Sequence, residues 1–198
     1  MAIIRTIQAS SVHEPPKVKG SRFIAAIAPV ASEDEAEAFV AERQTEHHSA
    51  THNAWAWRLP DGATRSNDDR EVSGTAGRPI LREIEGRELL GVAVVVTRYY
   101  GGTKLGTGGL IRAYGGTAAE ALDLAEIVEQ KVERTLVLCF PYELTAAVEG
   151  TLHAFAARQA GAEYGSDVRL TVAVGVEDAD ALAAAVTEAT AGRVEVLC

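Results

Sequence analysis

The stretch Thr97–Gly116, TRYYGGTKLGTGGLIRAYGG, constrains this chain more than any other. It carries seven of the eighteen glycines. It lies inside Leu89–Ala119, a run without a single Asp or Glu in a chain of 198 residues that has 28 acids and a net charge of −9. Its charged residues are Arg98, Lys104 and Arg112, and Tyr99, Tyr100 and Tyr114 lie among them. Leu89–Thr97 is a Val-rich apolar run, the pattern of a strand buried on both faces. From Leu110 small and apolar residues recur three or four apart, at Leu110, Tyr114, Ala118, Ala121, Ala125 and Val128, which predicts a helix with Arg112 in its first turn. The order is strand, glycine loop, helix. Backbone N–H groups at such a helix start are unpaired and partially positive, so the place suits a phosphate or carboxylate. Glycines that only make tight turns and close packing are the competing reading.

Two familiar phosphate loops are excluded. Gly101 and Gly106 have Walker spacing, but Thr107 and Gly108 follow where Lys and Ser/Thr are required. A dinucleotide fingerprint needs a glycine where Ile111 stands. No apolar run reaches the roughly 20 residues of a membrane span, and the N-terminus shows no secretory signal. Cys139 and Cys198 have no motif spacing, which fits a reducing cytoplasm and free thiols; Cys139 reads as an inert residue in an apolar strand. Residues 136–198 carry 3 basic and 9 acidic side chains, and residues 1–135 carry 16 and 19. That balance argues against a general polyanion binder but leaves room for a local basic patch in the first part.

Ile3–Gln8 and Arg22–Val30 read as strands, joined by a connector broken at Pro15 and Pro16. Ser32 and Glu35 form a capping box for a helix with Ala36, Phe39 and Val40 on its apolar face. His47, His48 and His52 lack metal-site spacing and read as a surface pair and a strand residue. Asn53–Leu59 alternates as a strand, and Asp61-Gly62 is a turn. Asn67–Pro79 is a second polar loop with glycines. Its acids, Asp68, Asp69 and Glu71, read as capping or solvated groups before acid/base groups, or as partners of Arg98 and Arg112 that tie the two glycine loops together. Pro79 suits the first turn of a helix to about Glu88. Gly115 and Gly116 fall mid-helix, where close backbone packing would compensate for them.

Beyond Lys131–Thr135 the pattern is strand Leu136–Phe140, helix Tyr142–Ala160 ending at Gly161, strand Ala162–Tyr164, strand Val168–Val176, helix Asp178–Ala191 ending at Gly192, and strand Val194–Leu197. Asp178 stands as N-cap and the two glycines as C-terminal caps. This is βαββαβ, the ferredoxin-like order.

Four stretches, GSRFIA (Gly20–Ala25), ATHNAWAW (Ala50–Trp57), DDREVSGTAGRPIL (Asp68–Leu81) and VVTRYYGGTKLGTGGLIRAY (Val95–Tyr114), resemble the IMPACT/YigZ family. With the βαββαβ tail, the likeness spans nearly the whole chain. The chain departs from the family's usual DDGEPSGTAG at Arg70 and Val72, and has Asn53-Ala54 where a cysteine is common. The resemblance implies an α+β fold in two domains. One, over 1–130, is of the left-handed βαβ type of ribosomal proteins and domain IV of elongation factor G. The other, over 136–198, is ferredoxin-like. It also implies a link to control of translation and stress responses, and transfers no catalytic residue, metal or cofactor.

The candidate site for a nucleic acid or other anion is Arg98, Tyr99, Tyr100, Gly101, Gly102, Lys104, Gly106 and Arg112, with Asp69, Ser73, Thr75 and Arg78 from the second loop; Gly74 and Gly77 belong to the same family pattern. Three functions follow. The first is a non-enzymatic, cytoplasmic, translation-associated protein that binds RNA or the ribosome, phosphates on Lys and Arg and bases on tyrosines, with a possible protein partner. The second is an enzyme or sensor for a small phosphorylated ligand, with Asp69 as general base or metal residue. The third is a protein-interaction module. None of the three needs a cofactor.

Overall fold

A computed structural model describes residues 3–197. The fold is α+β, and it divides into two compact units, one of Ile4–Gln130 and one of the chain from Lys131 onward together with Ile3.

The first unit is built on β6 (Val92–Tyr99), whose residues are buried from Val92 to Arg98. Its neighbours are β3 (Arg22–Pro29) and β4 (His52–Arg58), both antiparallel to it. Adding β2 (Ser11–His13) and β5 (Thr64–Asn67) completes a five-stranded sheet of order β2-β3-β6-β4-β5. A strand pleats with period two, so β6 supplies two cores. Val92, Val94 and Val96 pack with Phe23 and Ile27 against α2 (Gly77–Gly86) and α3 (Thr107–Asp123). Ala93 and Val95 pack with Trp57 against Ala36 and Val40 of α1 (Glu33–Glu46). The Val-rich run is hydrophobic throughout because both of its faces are covered. A separate two-stranded sheet joins β1 (Ile3–Ile7) to β7 (Ile127–Lys131).

The start of α1 follows the sequence: Ser32 Oγ accepts the Glu35 N–H at 3.3 Å, and the Glu35 carboxylate reaches back to the Ala31 N–H at 2.7 Å. Helix α2 begins at Gly77 with Pro79 in its first turn, as expected, whereas α3 begins earlier than its apolar periodicity suggests. Helix α3 starts at Thr107, directly after Gly106 at φ +72°. Its first turn is therefore polar and glycine-bearing, and Arg112 is its sixth residue rather than a first-turn residue. Gly115 is buried, and a Cβ there would lie 3.7 Å from Pro79 of α2, so helix packing compensates for it. Gly116 is exposed and has no such neighbour.

The second unit contains β8 (Glu133–Phe140), α4 (Thr145–Ala154), β9 (Arg158–Tyr164), β10 (Val168–Gly175), α5 (Ala179–Ala189) and β11 (Glu195–Leu197). Its sheet order, β11-β8-β10-β9, and its antiparallel pairings are those of a ferredoxin-like domain. A 3₁₀ turn, Tyr142–Leu144, precedes α4. The expected long helix to Ala160 is corrected here. It ends at Ala154 in a Schellman turn: Ala157 N–H bonds Leu152 C=O and Ala156 N–H bonds His153 C=O, with Ala156 at φ +50°. Arg158–Ala160 join β9 instead, because ladder bonds to β10 outweigh their helix propensity. Gly161 therefore lies within a strand. The turn after α5 has the same form, with Ala191 at φ +51° and Gly192 one position later. Asp178 occupies the N-cap of α5 but makes no capping bond. Cys139 alternates with buried Leu138 and Phe140 on β8 and is only half-buried, not a core residue; Cys198 lies outside the described residues.

Candidate functional site

Two glycine-bearing loops enter helices on the same face of the sheet, and their helix starts are treated differently. Before α2, Asp68 turns its carboxylate onto the chain ahead of it. Oδ1 accepts the N–H groups of Ala76 and Gly77 at 3.0 and 2.8 Å, and Oδ2 accepts that of Gly74 at 2.8 Å. The anion at this helix start is thus the protein's own. Before α3 there is no such group: the N-cap is Gly106, no side chain caps it, and the first turn has no acid.

The second loop is shaped by a close approach. A Cβ on Gly101 would lie 1.9 Å from the Gly20 carbonyl carbon, so the turn before β3 and the loop after β6 touch backbone to backbone. Ser21 secures the contact, its Oγ accepting the Gly101 N–H at 3.2 Å and an Arg98 Nη2 hydrogen at 3.4 Å.

Beside this loop lies a cavity of about 550 Å³. Its floor is ionic. Arg98, 5% exposed, donates from Nη1 to Glu71 Oε2 at 2.6 Å. Tyr114 Oη donates to the same oxygen at 3.0 Å. Burial, then the neighbouring Glu71 charge, holds the Tyr114 phenol far above its usual range, so it stays a donor. His52 Nε2 lies 3.6 Å from Glu71 Oε2, and its Nδ1 is 2.8 Å from the Asp69 carbonyl oxygen. Glu71 is brought here by a strained approach: Asp69 and Arg70, just before it, take φ +43° and +63°. Arg70 is therefore a left-handed residue where the family pattern described above has glycine. The cavity walls are Leu105, Leu110, Val72 and Tyr100, the last 47% exposed with its ring 5.5 Å from the Arg98 guanidinium. Thr51, Lys104, Gly106 and Thr107 complete the lining.

Of the residues expected at the site, Arg98, Tyr100, Lys104 and Gly106 line this cavity. Tyr99 does not. The strand pleat turns it to the opposite face, where its hydroxyl meets His47 Nδ1 at 3.1 Å and Arg22 lies over its ring. Asp69 is not a free base: its carboxylate accepts the Asn53 N–H at 2.6 Å. Thr75 is buried and donates to the Val72 carbonyl, and Ser73 and Arg78 are exposed away from the lining. Gly101 and Gly102 shape the loop without lining the cavity. Arg112 is exposed, its guanidinium 3.6 Å from where a Cβ on Gly108 would stand, and thus beside the first turn of α3. Lys104 and Arg112 form no ion pair among the described residues, whereas Arg98 pairs with Glu71. Two contributors are not expected from the sequence, His52, which reads as a strand residue, and Tyr114, which reads as part of a helix face. Glu71 reads as a solvated loop acid or as a partner of Arg98 tying the two loops together, and the structure shows the pair. The one signal for His52 is its place, one residue before a strand already identified. No cluster of His, Cys, Asp or Glu among the described residues has metal-site geometry. None of the helices described is long and apolar enough to cross a membrane.

A two-unit α+β chain with an open helix start beside a buried ionic cluster defines a class of architecture, and sequence comparison identifies it. Residues 19–122 match the Impact N-terminal domain, and residues 138–193 match a domain of unknown function, DUF1949. The chain belongs to the IMPACT family. It is 35% identical over 193 residues to IMPACT family member YvyE of Bacillus subtilis, covering 96% of this chain and 88% of that protein. It is 32% identical over 195 residues to IMPACT family member YigZ of Escherichia coli, covering 96% of each. A solved structure described as a hypothetical protein superposes with a TM-score of 0.72 at 29% identity, covering 100% of this chain and 98% of the other.

Proposed function

We propose that this protein is a non-enzymatic, cytoplasmic, translation-associated factor whose first unit binds RNA, on or off the ribosome, at the start of α3. One observation carries the reading. The N-terminus of α3 is uncapped and free of acids, with two exposed, unpaired cations, Lys104 and Arg112, next to it. Such a helix start attracts a phosphate through its free N–H groups and its dipole. Tyr100, half exposed beside it, offers a ring on which a base can stack. The net charge of −9 confines the contact to this patch, so few phosphates are neutralised and the salt dependence is moderate.

The test is co-sedimentation with ribosomes, and binding to a single-stranded RNA, for the wild type beside Lys104→Glu at two salt concentrations. The expected result is an affinity that falls with salt, and a loss of about tenfold in the variant at unchanged stability. Equal binding by both proteins would overturn the reading. A second reading, a sensor of a small phosphorylated ligand, is favoured by the concavity itself, since about 550 Å³ is the size of a small-molecule site.

A further inference from the structure

The floor of the cavity has acceptors without donors. Every hydrogen bond and ion pair of the Glu71 carboxylate runs through Oε2, which faces Arg98, Tyr114 and His52. Oε1 has no partner among the described residues, although the side chain is only 7% exposed. Oε1 is not sealed in protein, as the Nε of Arg98 is, so its open side faces the cavity that Glu71 lines. His52 adds a second acceptor. The Asp69 carbonyl oxygen beside Nδ1 can only accept, so Nδ1 carries the hydrogen. Nε2 lies 3.6 Å from Glu71 Oε2, beyond hydrogen-bond length, and makes no hydrogen bond within the described residues. Both groups open onto the cavity and receive no hydrogen bond there from the described residues, so they are placed to accept N–H or O–H groups that a ligand brings inward. The same cavity is lined by Lys104 and by Gly106 and Thr107 at the open start of α3, which call for an anion. Between these polar groups its surface is Thr51, Val72, Leu105, Leu110 and the Tyr100 ring.

We propose that this cavity holds a nucleoside 5′-phosphate, free or as the end of a strand. Its phosphate sits at the start of α3 with Lys104, its base between the leucines and Tyr100, and an N–H edge of the base donates to Glu71 Oε1 and His52 Nε2. The inference rests on the start of α3 being a phosphate seat, as in the function proposed above, and adds what is bound beyond the phosphate. A sugar phosphate seated at the helix start brings neither a ring for the apolar walls nor the N–H edge that reaches the two acceptors. Inorganic phosphate would leave both acceptors unpaired.

Calorimetric titration of the full chain tests this with the four nucleoside monophosphates, ribose 5-phosphate and inorganic phosphate at one ionic strength. At least one nucleotide is expected to bind tenfold or more tightly than ribose 5-phosphate and inorganic phosphate. Lys104→Ala should weaken nucleotide and ribose 5-phosphate alike. His52→Leu, which leaves the Arg98–Glu71 pair intact, should weaken the nucleotide while leaving ribose 5-phosphate unchanged; Glu71→Gln should do the same where circular dichroism shows it folded. Equal affinity for nucleotide and ribose 5-phosphate, or no nucleotide binding at millimolar concentration, would overturn the proposal. A 5′-phosphorylated oligonucleotide binding more tightly than its 5′-hydroxyl form identifies the strand end, and binding of the free nucleotide alone identifies the free form. RNA binding without any nucleotide binding overturns the nucleotide cavity and leaves the RNA reading standing, and RNA binding that persists under saturating nucleotide overturns the placing of RNA at the start of α3. Nucleotide binding without RNA binding supports the cavity and overturns the RNA reading.

Discussion

The two glycine-bearing loops of the first unit are built from the same ingredients and reach opposite ends. Each leaves a strand of the sheet and enters a helix packed on the same core. In one, Asp68 places its carboxylate on three backbone N–H groups and the helix start is closed. In the other, the corresponding groups of α3 meet no side chain, and the nearby charges are cations. A helix start has the same need in both places, since its first N–H groups have no partner inside the helix. Where the chain satisfies that need, the loop is structural. Where it leaves the need open and lines the opening with Lys104 and Tyr100, the arrangement suits a ligand.

The largest expected effect comes from the shape of the open loop. Gly101→Ala should destabilise the first unit by about 3 kcal/mol or more, because the new Cβ meets the Gly20 backbone, which cannot give way as a side chain would. Chemical denaturation would read this, and a change under about 1 kcal/mol would show that the loop is free to move. Asp68→Ala should follow at about 2–3 kcal/mol, since it removes a cap and leaves partly buried N–H groups without acceptors. The contrasting substitution at the open start, Lys104→Ala, should leave the melting temperature unchanged. Sulfate at matched ionic strength should stabilise the wild type and not this variant. If sulfate stabilises both equally, the two helix starts do not differ as argued.

Tyr114 links the loops, reaching from α3 to Glu71 of the closed one. Its folded pKa is raised, chiefly by burial, so below the unfolded value near 10 both states keep the proton and stability is unaffected. Above about pH 10 only the unfolded state loses it, and stability should fall by about 1.4 kcal/mol per pH unit. Tyr114→Phe should remove that slope in urea titrations at pH 9 to 11. The smallest effect is a gain. Arg70→Gly should stabilise the closed loop by about 1 kcal/mol, because φ +63° costs a side chain strain that glycine escapes. A loss on this substitution would mean that the exposed arginine makes a contact worth more than the strain.

Much of this fold is legible in the sequence, for local reasons. The hydrophobicity of Val92–Val96 on both faces can be satisfied only by a strand covered on both sides. The Ser32–Glu35 box marks a helix start that the structure shows. The helix after Tyr142 was misjudged because apolar spacing continues past Phe155, while the strand it becomes is decided by pairing with β10. At the site, Arg98, Tyr100, Lys104 and Gly106 were legible because an acid-free glycine loop is a local pattern. Tyr99 was grouped with them because it is adjacent, and the pleat separates it.

By itself the sequence determines most of the elements and the two-sided burial of β6 through spacing, the family through its matching stretches, and the acid-free, basic character of the loop ahead of α3. Only the tertiary structure decides that Glu71, a loop acid like any other on paper, is buried against Arg98 and Tyr114, and that His52 stands beside it. Those residues are 27, 43 and 19 positions from Glu71. They meet because β4 and β6 are neighbours in the sheet and the closed loop is bent over their ends by two residues held at positive φ. No local pattern encodes such a meeting: it is the sum of sheet register, helix packing and loop strain, and each of these exists only once the others are in place.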